Sequence, residues 1–303
     1  MRVLVMGASG SIGAALIPRL AREGHELRAF ARHPARVGAE LPVVRGDAVT
    51  GAGLDAALEG IDVAYFLIHS MEGADDGFAS REQVAAERFV AAAQAAGVRR
   101  VVYLGGLVPD VAVASRHLTS RLEVERILLA GLPEAVALRA SMVIGARSRS
   151  FRFLVRLVER LPLMALPAWQ GHRTQPIDGR DVTAFLAAAA TTPHAGGGLS
   201  LDIAGPDVLT YGQMIRRIAD LLLLRRPTIA LGIAATPVAA PIAAAIAGED
   251  PGLIAPLMEG LGTDLLPRDE RAGELLGVRT HSFDRAVERA LREWEEAEEL
   301  TGR

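Results

Sequence analysis

The chain has 303 residues, of which 50% are hydrophobic and 23% charged, a composition typical of a globular protein with a sizeable core. Its 33 basic and 36 acidic residues leave a formal net charge of −3, which argues against a nucleic-acid-binding function or electrostatic attachment to an anionic membrane. The absence of cysteine excludes disulfides, thiolate metal sites and a cysteine nucleophile.

The basic residues are all arginine, because the sequence contains neither lysine nor asparagine. Lysine is required by Walker-type phosphate loops, by Schiff-base chemistry and by a tyrosine–lysine catalytic pair, so these mechanisms are excluded. The phenolic groups are Tyr65, Tyr103 and Tyr211, of which Tyr103 lies within an apolar run and is expected in the core. No metal site is predicted, because several histidines lack the paired spacing of metal ligands: His25, His33, His172, His194 and His281.

The sequence gives only weak signs of targeting or membrane insertion. The first six residues are too short an apolar stretch for a signal peptide before a glycine-rich turn begins, so we expect a cytoplasmic location. Residues 227–248 carry no charge and have the length of a membrane-spanning helix. They are rich in alanine and interrupted by Pro237 and Pro241, which prevents one regular helix. We therefore predict no integral span, but a buried segment or a partner surface, such as that of a homodimer.

Short apolar runs of strand length alternate with helical patterns over residues 2–145. The runs read VLVM, LRAFA, PVV, VAYFLI, RVVYL and AVALR, and the helical patterns include residues 11–23 and 78–96. Gly24 suits the left-handed C-terminal cap of the first helix. Such alternation is typical of repeated β-α-β units. We therefore predict an α/β fold of the Rossmann type, with a doubly wound parallel sheet.

The pattern loosens after residue 145. The predicted elements are helices over residues 151–161 and 181–190, a strand-like run at 199–203, a helix opened by a capping box of Thr210 and Gln213, and an amphipathic helix from Ser282. We predict a nucleotide-binding domain over residues 1–145. A smaller, mainly helical lobe over residues 146–303 would cover one edge of the sheet, as a wall for a substrate or partner.

A glycine-rich turn joins the first strand to the first helix in VLVMGASGSIGAAL. Glycine at this spacing allows a tight turn, close approach of a pyrophosphate to the backbone and close packing of helix on strand. The helix N-terminus adds free N–H groups and the positive end of its dipole. We predict dinucleotide binding, with a tight turn that holds no ligand as the alternative. The predicted contacts are Gly7, Ser9, Gly10, Ser11, Ile12 and Gly13.

The end of the second strand indicates which dinucleotide binds. An NAD site places an acidic residue there, on the ribose 2′-hydroxyl, but this sequence reads Ala-Arg-His-Pro with the arginine at Arg32. Arginine suits a 2′-phosphate, so NADP(H) is the predicted cofactor, with Arg36 as support. A solvated surface arginine is the alternative. Asp47, after the third strand, is predicted to lie by the adenine edge or, alternatively, to cap its own loop.

Several motifs occur in a specific order along nearly the whole chain: GASGSIG, ARHP, RGD, AYFLIHSM, VVYLGGL, HLTSR, LRASMVIG, RTQPIDGRDV and DIAGPDVLTY. In this order they resemble the atypical short-chain dehydrogenase/reductase family. The likeness is greatest to its NmrA-like and complex-I-subunit-like branches, in bacterial proteins that carry an extra C-terminal domain of unknown function. The resemblance implies NADP(H) at the carboxyl ends of the strands and a lobe that closes over the nicotinamide. Further cofactor contacts are expected at Ile68, His69, Ser70, Gly105 and Met142.

In active members of this family a Tyr-x-x-x-Lys pair on the helix after the fifth strand supplies the acid, often with an upstream serine. The matching positions here read His117-Leu-Thr-Ser-Arg121, and Gly105 or Gly106 replaces the serine. The catalytic candidates are therefore His117 as proton donor, Arg121 as a fixed positive charge, and His69 at the strand end beside the nicotinamide. For both histidines, a structural contact with the cofactor or the backbone is the alternative.

Two functions are consistent with these observations. The first is an NADPH-dependent reductase of an apolar carbonyl or quinone-like substrate, bound in a pocket lined by lobe residues; ordinary lobe core is the alternative for those residues. The second is a non-catalytic NADP(H)-binding redox sensor or assembly or regulatory protein, which the missing lysine favours. The all-arginine, alanine-rich composition suggests a bacterial source. The predicted pocket residues are Met142, Phe151, Phe153, Trp169 and Gln175.

Overall fold

Parallel strands with helices on both faces form the centre of the computed structural model, which describes residues 1–68, 78–109, 116–231 and 260–298. The strands are β1 (Arg2–Met6), β2 (Glu26–Ala31), β3 (Val43–Arg45), β4 (Val63–Phe66), β5 (Arg100–Gly106), β6 (Glu134–Ala140), β7 (Val143–Ile144), β8 (Met164–Leu166), β9 (Arg173–Thr174), β10 (Ile177–Asp178), β11 (Leu199–Ile203), β12 (Leu209–Thr210) and β13 (Thr228–Ala230). The helices are α1 (Ser11–Arg22), α2 (Leu54–Leu58), α3 (Phe78–Ala95), α4 (Arg116–Gly131), α5 (Arg149–Arg160), α6 (Gly179–Thr191), α7 (Tyr211–Leu221), α8 (Arg271–Leu276) and α9 (Phe283–Ala297). Short 3₁₀ turns lie at Pro34–Arg36, Ala168–Gly171, Pro193–Ala195 and Gly260–Gly262.

The central sheet has seven strands in the order β11-β6-β5-β4-β1-β2-β3, and every neighbouring pair is parallel. From β1 the chain moves outward through β2 and β3, then crosses to the other side and continues through β4, β5 and β6. The reversal between β1 and β4 creates the crevice in which doubly wound sheets bind ligands. The predicted α/β fold with a doubly wound parallel sheet is confirmed.

Apolar layers cover both faces of this sheet, which explains why its strands read as nearly continuous hydrophobic runs. On one face, Leu16 and Leu20 of α1 belong to the same buried layer as Phe185 and Leu186 of α6. On the other face, α2, α3 and α4 contribute a second buried layer. Gly24, just past the end of α1, has a φ of +80°, the left-handed conformation predicted for it.

A separate core holds the smaller lobe together. Phe151 of α5, Tyr211 of α7 and Phe283 of α9 are all buried in it. The capping box that the sequence predicts at the start of α7 is present. Thr210 Oγ1 accepts a hydrogen bond from the backbone N–H of Gln213 at 3.1 Å, and Gln213 Oε1 accepts one from the N–H of Thr210 at 2.7 Å. These two bonds fix the point at which α7 begins.

The strand predicted at residues 199–203 forms, but it lies in the central sheet and not in the smaller lobe. β11 pairs with β6, with Leu201 opposite Leu138, and both side chains are buried in the layer on the α1 face. Burial of these apolar side chains favours the sheet position. α6, which precedes β11, also packs on α1. The chain after residue 145 therefore contributes to both parts, and the two-domain division remains a prediction.

No helix in the described ranges is long and apolar enough to cross a membrane. The uncharged stretch at residues 227–248 begins with β13, which pairs in parallel with β8 of the smaller lobe. Residues 232–248 lie outside the described residues. The partner surface predicted for this stretch therefore remains a prediction.

Candidate functional site

A groove of about 1520 Å³ crosses the carboxyl-terminal ends of the central strands and continues beneath the smaller lobe. Its floor includes residues that follow β1, β2, β4 and β6, the edge at which doubly wound sheets bind ligands. Residues of α5, α7 and the Ala168–Gly171 turn form its far wall. Pockets for one small ligand measure about 300–1,000 Å³, so this groove has room for a dinucleotide and a second molecule.

The glycine-rich turn forms one end of the groove, and all six predicted dinucleotide contacts in it line the surface. Gly7 has a φ of +85°, and a Cβ there would lie 2.4 Å from the carbonyl oxygen of Leu67. A Cβ at Gly13 would lie 2.3 Å from the carbonyl oxygen of Gly7. Gly10 caps α1, and no side chain among the described residues caps the first turn, so the N–H groups of that turn remain available to an anion.

Arg32 and Arg36 lie beside this turn and line the groove, and both side chains are exposed. Arg32 has no hydrogen-bond or ion-pair partner among the residues that the structure describes. Asp47 also lines the groove, and its Oδ1 accepts a hydrogen bond from the N–H of Val49 at 2.7 Å. Asp47 therefore caps its loop, and a contact with adenine through its other oxygen remains a prediction.

The residues expected near the nicotinamide fall into three groups. Ile68 and Met142 line the groove. Gly105 is not part of the described lining, whereas Gly106 is, because successive residues of β5 face opposite sides of the sheet. His69 and Ser70 lie outside the described residues.

Aromatic and aliphatic side chains of the smaller lobe form the far wall. Met142, Phe153 and Trp169, which the sequence predicts there, line the groove. Phe151 is completely buried in the core of the lobe, where the alternative interpretation puts it. Gln175 is also buried, and its Nε2 donates to the carbonyl oxygen of Gly205 at 2.7 Å. The sequence did not indicate further apolar lining residues: Leu154, Ile215, Leu261 and Leu265.

Two of the three tyrosine hydroxyls donate hydrogen bonds to backbone carbonyl oxygens. Tyr65 Oη donates to the carbonyl oxygen of Leu186 at 3.0 Å, and Tyr103 Oη donates to that of Arg121 at 3.2 Å. Both rings are buried, and burial raises the pKa of each phenol above its ordinary value. Neither hydroxyl is therefore placed to act as an acid in the groove, and Tyr103 is a core residue as predicted.

Tyr211 is the phenol that lines the groove, although the sequence gave it no role there. It is the first residue of α7, and its ring meets that of Trp169 edge-on with 6.3 Å between centroids. Burial raises the pKa of Tyr211 to about 12, so the hydroxyl stays protonated at neutral pH. The capping box at Thr210 was the signal that placed this side chain at a helix start.

Arginines outnumber carboxylates in the described lining of the groove, although the chain has a net charge of −3 and Glu23 and Asp178, outside that lining, pair with three of the arginines. Asp47 and Glu293 are the carboxylates in its described lining, against ten arginines. An excess of positive charge in a concave surface attracts anionic ligands. The arginines are Arg19, Arg22, Arg32, Arg36, Arg81, Arg121, Arg147, Arg149, Arg180 and Arg289.

Comparison with known proteins shows what the chain is similar to. Residues 7–141 match the family model described as NAD(P)H-binding. The chain is 29% identical over 229 residues to the (4-alkanoyl-5-oxo-2,5-dihydrofuran-3-yl)methyl phosphate reductase of Streptomyces griseus subsp. griseus, covering 73% of each chain. It is 24% identical over 229 residues to the mitochondrial NADH dehydrogenase [ubiquinone] 1 alpha subcomplex subunit 9 of Arabidopsis thaliana, covering 72% of this chain and 57% of that protein. Over residues 7–141 the chain is therefore similar to NAD(P)H-binding proteins.

Solved structures agree with the fold described above. A short-chain dehydrogenase/reductase superfamily protein from Agrobacterium tumefaciens with bound NAD superposes with a TM-score of 0.70 and 20% identity, covering 98% of this chain and 97% of that one. The likeness extends through the smaller lobe, since it covers almost the full length. At this identity it concerns the fold alone.

The predicted catalytic positions differ from a tyrosine–lysine pair. Arg121 of α4 lines the groove, and its Nε is buried without a hydrogen-bond partner in the described part of the chain. His117 lies in the first turn of the same helix, and its side chain is not among those that the structure describes. Because residues four apart share a helix face, the two positions lie on the same side of α4.

Proposed function

We propose that the protein is an NADPH-dependent reductase that transfers hydride to an apolar carbonyl or quinone-like compound. The observation that carries this proposal is that one groove connects the glycine-rich turn to the apolar wall of Phe153, Trp169 and Tyr211. A cofactor on the turn and a substrate against that wall would therefore lie in the same groove. The relative named as a reductase supports the same reaction class.

NADP(H) is the proposed cofactor because Arg32 lies in the groove with no partner in the described residues to neutralise it. A guanidinium matches the geometry and the charge of a 2′-phosphate, whereas NAD sites place a carboxylate at this strand end. Arg36, on the 3₁₀ turn that follows, adds a second positive charge.

Reduced nicotinamide, when bound, supplies the hydride. The residues of the groove have to place the carbonyl carbon beside it and stabilise the negative charge that develops on the oxygen. Arg121 offers a fixed positive charge for that purpose, although arginine does not release a proton. The proton on the product oxygen comes from another group, for which His69 and His117 are our candidates. A quinone demands less acid catalysis than a ketone, which suits a site without a tyrosine–lysine pair.

The test is the loss of NADPH absorbance with a panel of quinones and aldehydes. We expect Arg121→Gln to lower kcat roughly 10- to 100-fold, because a preorganised charge is worth most in the transition state. Arg126→Gln is the matched control, since Arg126 lies on the same helix with its side chain 66% exposed and paired to Glu123. His69→Ala and His117→Ala test the proton donors. Turnover that does not change in Arg121→Gln would refute the role of Arg121.

A second candidate is a non-catalytic NADP(H)-binding redox sensor or assembly or regulatory protein. The specific observation in its favour is that the hydroxyls of Tyr65 and Tyr103 bond to the backbone while the chain has no lysine. Similarity to a subunit of a larger complex points the same way. Tight NADPH binding without turnover across the whole panel would favour this function over the first.

We also propose, from the motif order and composition, that the protein is an NmrA-like bacterial protein of the cytoplasm, and that it forms a homodimer. Fractionation of the native cells tests the location. Light scattering over a wide concentration range tests the dimer, and a constant monomer mass would exclude it.

A further inference from the structure

Two short strands bring a set of arginines to one place in the groove. β7 and β10 pair in parallel, with Ile144 opposite Asp178, so the segments that follow them leave the pair at the same end. One segment carries Arg147 towards α5, and the other carries Arg180 into α6. α9 packs on both strands and contributes Arg289. All three arginines line the groove.

The side chain of Asp178 is fully buried beneath two of these arginines. It accepts hydrogen bonds from the N–H of Arg180 at 2.8 Å, from Arg180 Nη2 at 2.7 Å and from Arg289 Nη2 at 2.7 Å. Burial by itself would raise the pKa of Asp178, but these hydrogen bonds and charges outweigh it and hold the pKa below its ordinary value. The carboxylate therefore stays ionised and fixes both guanidinium groups, which lowers the entropic cost of using them to bind a ligand.

The three arginines around β7 and β10 have fewer carboxylate partners than positive charges. Asp178 and Glu293 offset Arg180 and Arg289, since Arg289 also pairs with Glu293. Arg147 is then left over, because it is exposed in the groove and has no hydrogen-bond or ion-pair partner among the described residues. Uncompensated guanidinium groups in a concave site indicate an anionic ligand.

We infer that the substrate of the proposed reductase carries a phosphate monoester, which Arg147 and Arg180 bind. The inference rests on the proposed function and names the class of its substrate. Arg147 supplies a whole guanidinium fork and the uncompensated positive charge. Arg180, whose Nε and Nη2 bond to Asp178, offers its remaining Nη1 as a further donor. The adjoining wall of Phe153, Trp169 and Tyr211 takes an apolar group. The substrate is thus an amphiphile with an apolar body and a phosphate end, and its phosphate binds apart from those of the cofactor.

The test is calorimetric titration of the NADP⁺-saturated protein with n-hexyl phosphate, hexanoate and 1-hexanol. Saturation with NADP⁺ keeps the probe out of the cofactor's own phosphate sites. We expect hexyl phosphate to bind at least about tenfold tighter than hexanol, because charge-assisted hydrogen bonds form only with the anion. Arg147→Gln and Arg180→Gln should each weaken hexyl phosphate roughly 5- to 30-fold and leave hexanol unchanged.

Arg216→Gln is the matched control, because Arg216 is exposed on α7 of the same lobe and lies outside the described lining of the groove. Arg147→Gln breaks no hydrogen bond or ion pair between described residues, so it keeps the test valid if Arg180→Gln unfolds. Equal binding of hexyl phosphate and hexanol would overturn the inference, as would an equal loss in Arg216→Gln. Hexanoate that binds as tightly as hexyl phosphate would overturn the choice of phosphate.

Failure of the proposed function has a different signature. A protein that does not bind NADP⁺ would contradict the reductase. Hexyl phosphate would then be titrated into cofactor-free Arg32→Ala protein, with and without Arg147→Gln. A loss caused by Arg147→Gln in that background would still support the anion site, and no loss would overturn it.

Discussion

Arg32→Ala tests the cofactor assignment directly. In the free protein the Arg32 side chain is exposed and has no partner among the described residues, so its removal breaks no such contact and acts only through the ligand. A hydrogen bond to a charged group is worth about 1.5–3 kcal/mol, and exposure to solvent reduces that value. A loss of about 1–2 kcal/mol corresponds to a roughly 5- to 30-fold weaker affinity for NADPH. NADH, which lacks the 2′-phosphate, should change less than about twofold.

Calorimetric titration with NADPH, NADP⁺ and NADH measures this difference. Arg45→Ala is the matched control, because Arg45 is an exposed arginine opposite Ala31 in the neighbouring strand and lies outside the described lining of the groove. The NADPH preference of the unmodified protein should also shrink as salt is added, since exposed charges are screened. Equal loss of NADPH and NADH affinity in Arg32→Ala, or no loss of either, would refute the assignment of Arg32 to a 2′-phosphate.

Three further predictions concern Gly13 in the glycine-rich turn, Asp178 beneath Arg180 and Arg289, and Tyr211 in the apolar wall of the groove. Gly13→Ala should weaken NADPH binding roughly tenfold or more in a titration, because its Cβ would lie 2.3 Å from a backbone oxygen. Gly196→Ala, with no atom within 4 Å and outside the described lining of the groove, should not. Asp178→Asn should lower the free energy of unfolding by about 2–4 kcal/mol at neutral pH, because it leaves Arg289 without its buried partner. The pKa of Asp178 is depressed in the folded protein, so its carboxylate stabilises the fold above its ordinary pKa, and this stabilisation is lost as the carboxylate is protonated in acid. The difference in free energy of unfolding between Asp178→Asn and the unmodified protein should therefore be smaller below about pH 4 than at neutral pH. Tyr211→Phe should leave the shape of the pH–rate profile unchanged between roughly pH 6 and 9, because the pKa of about 12 keeps the hydroxyl protonated; a shifted profile would show that it titrates.

The glycine-rich turn was predictable because its constraint is local. Gly7, Gly10 and Gly13 lie within one strand–turn–helix unit, and the close approaches that require glycine involve the turn itself and the adjoining end of β4. The same applies to Gly24 and to the capping box at Thr210, each of which is determined within a few residues. Local backbone geometry imposes a residue type that can be recognised without knowledge of the tertiary structure.

Contacts between distant segments were not predictable. Asp178 and Arg289 are 111 positions apart, and nothing in either segment indicates the other. The strand at Leu199–Ile203 was recognisable, but its place beside β6 depends on pairing that a single sequence does not specify. Phe151 and Phe153 illustrate the same limit within one helix. They point in nearly opposite directions on α5, so one enters the core and the other the groove, and only the packing of the lobe decides which.

Net charge is a property of the whole protein, whereas a ligand responds to the charges of the groove in which it binds. The net charge and the groove lining therefore lead to different expectations about anionic ligands. Several carboxylates form ion pairs with arginines outside the described groove lining. Buried Glu125 forms a bidentate pair with Arg139, and Glu134 pairs with Arg100. With those acids committed, the arginines of the groove have few carboxylates beside them, although the chain is slightly acidic overall. The small net charge therefore argues against extended polyanions such as nucleic acids, whereas the groove favours small anions that fit within it. A dinucleotide and a phosphate-bearing substrate both meet that requirement, and their binding should weaken together as ionic strength rises.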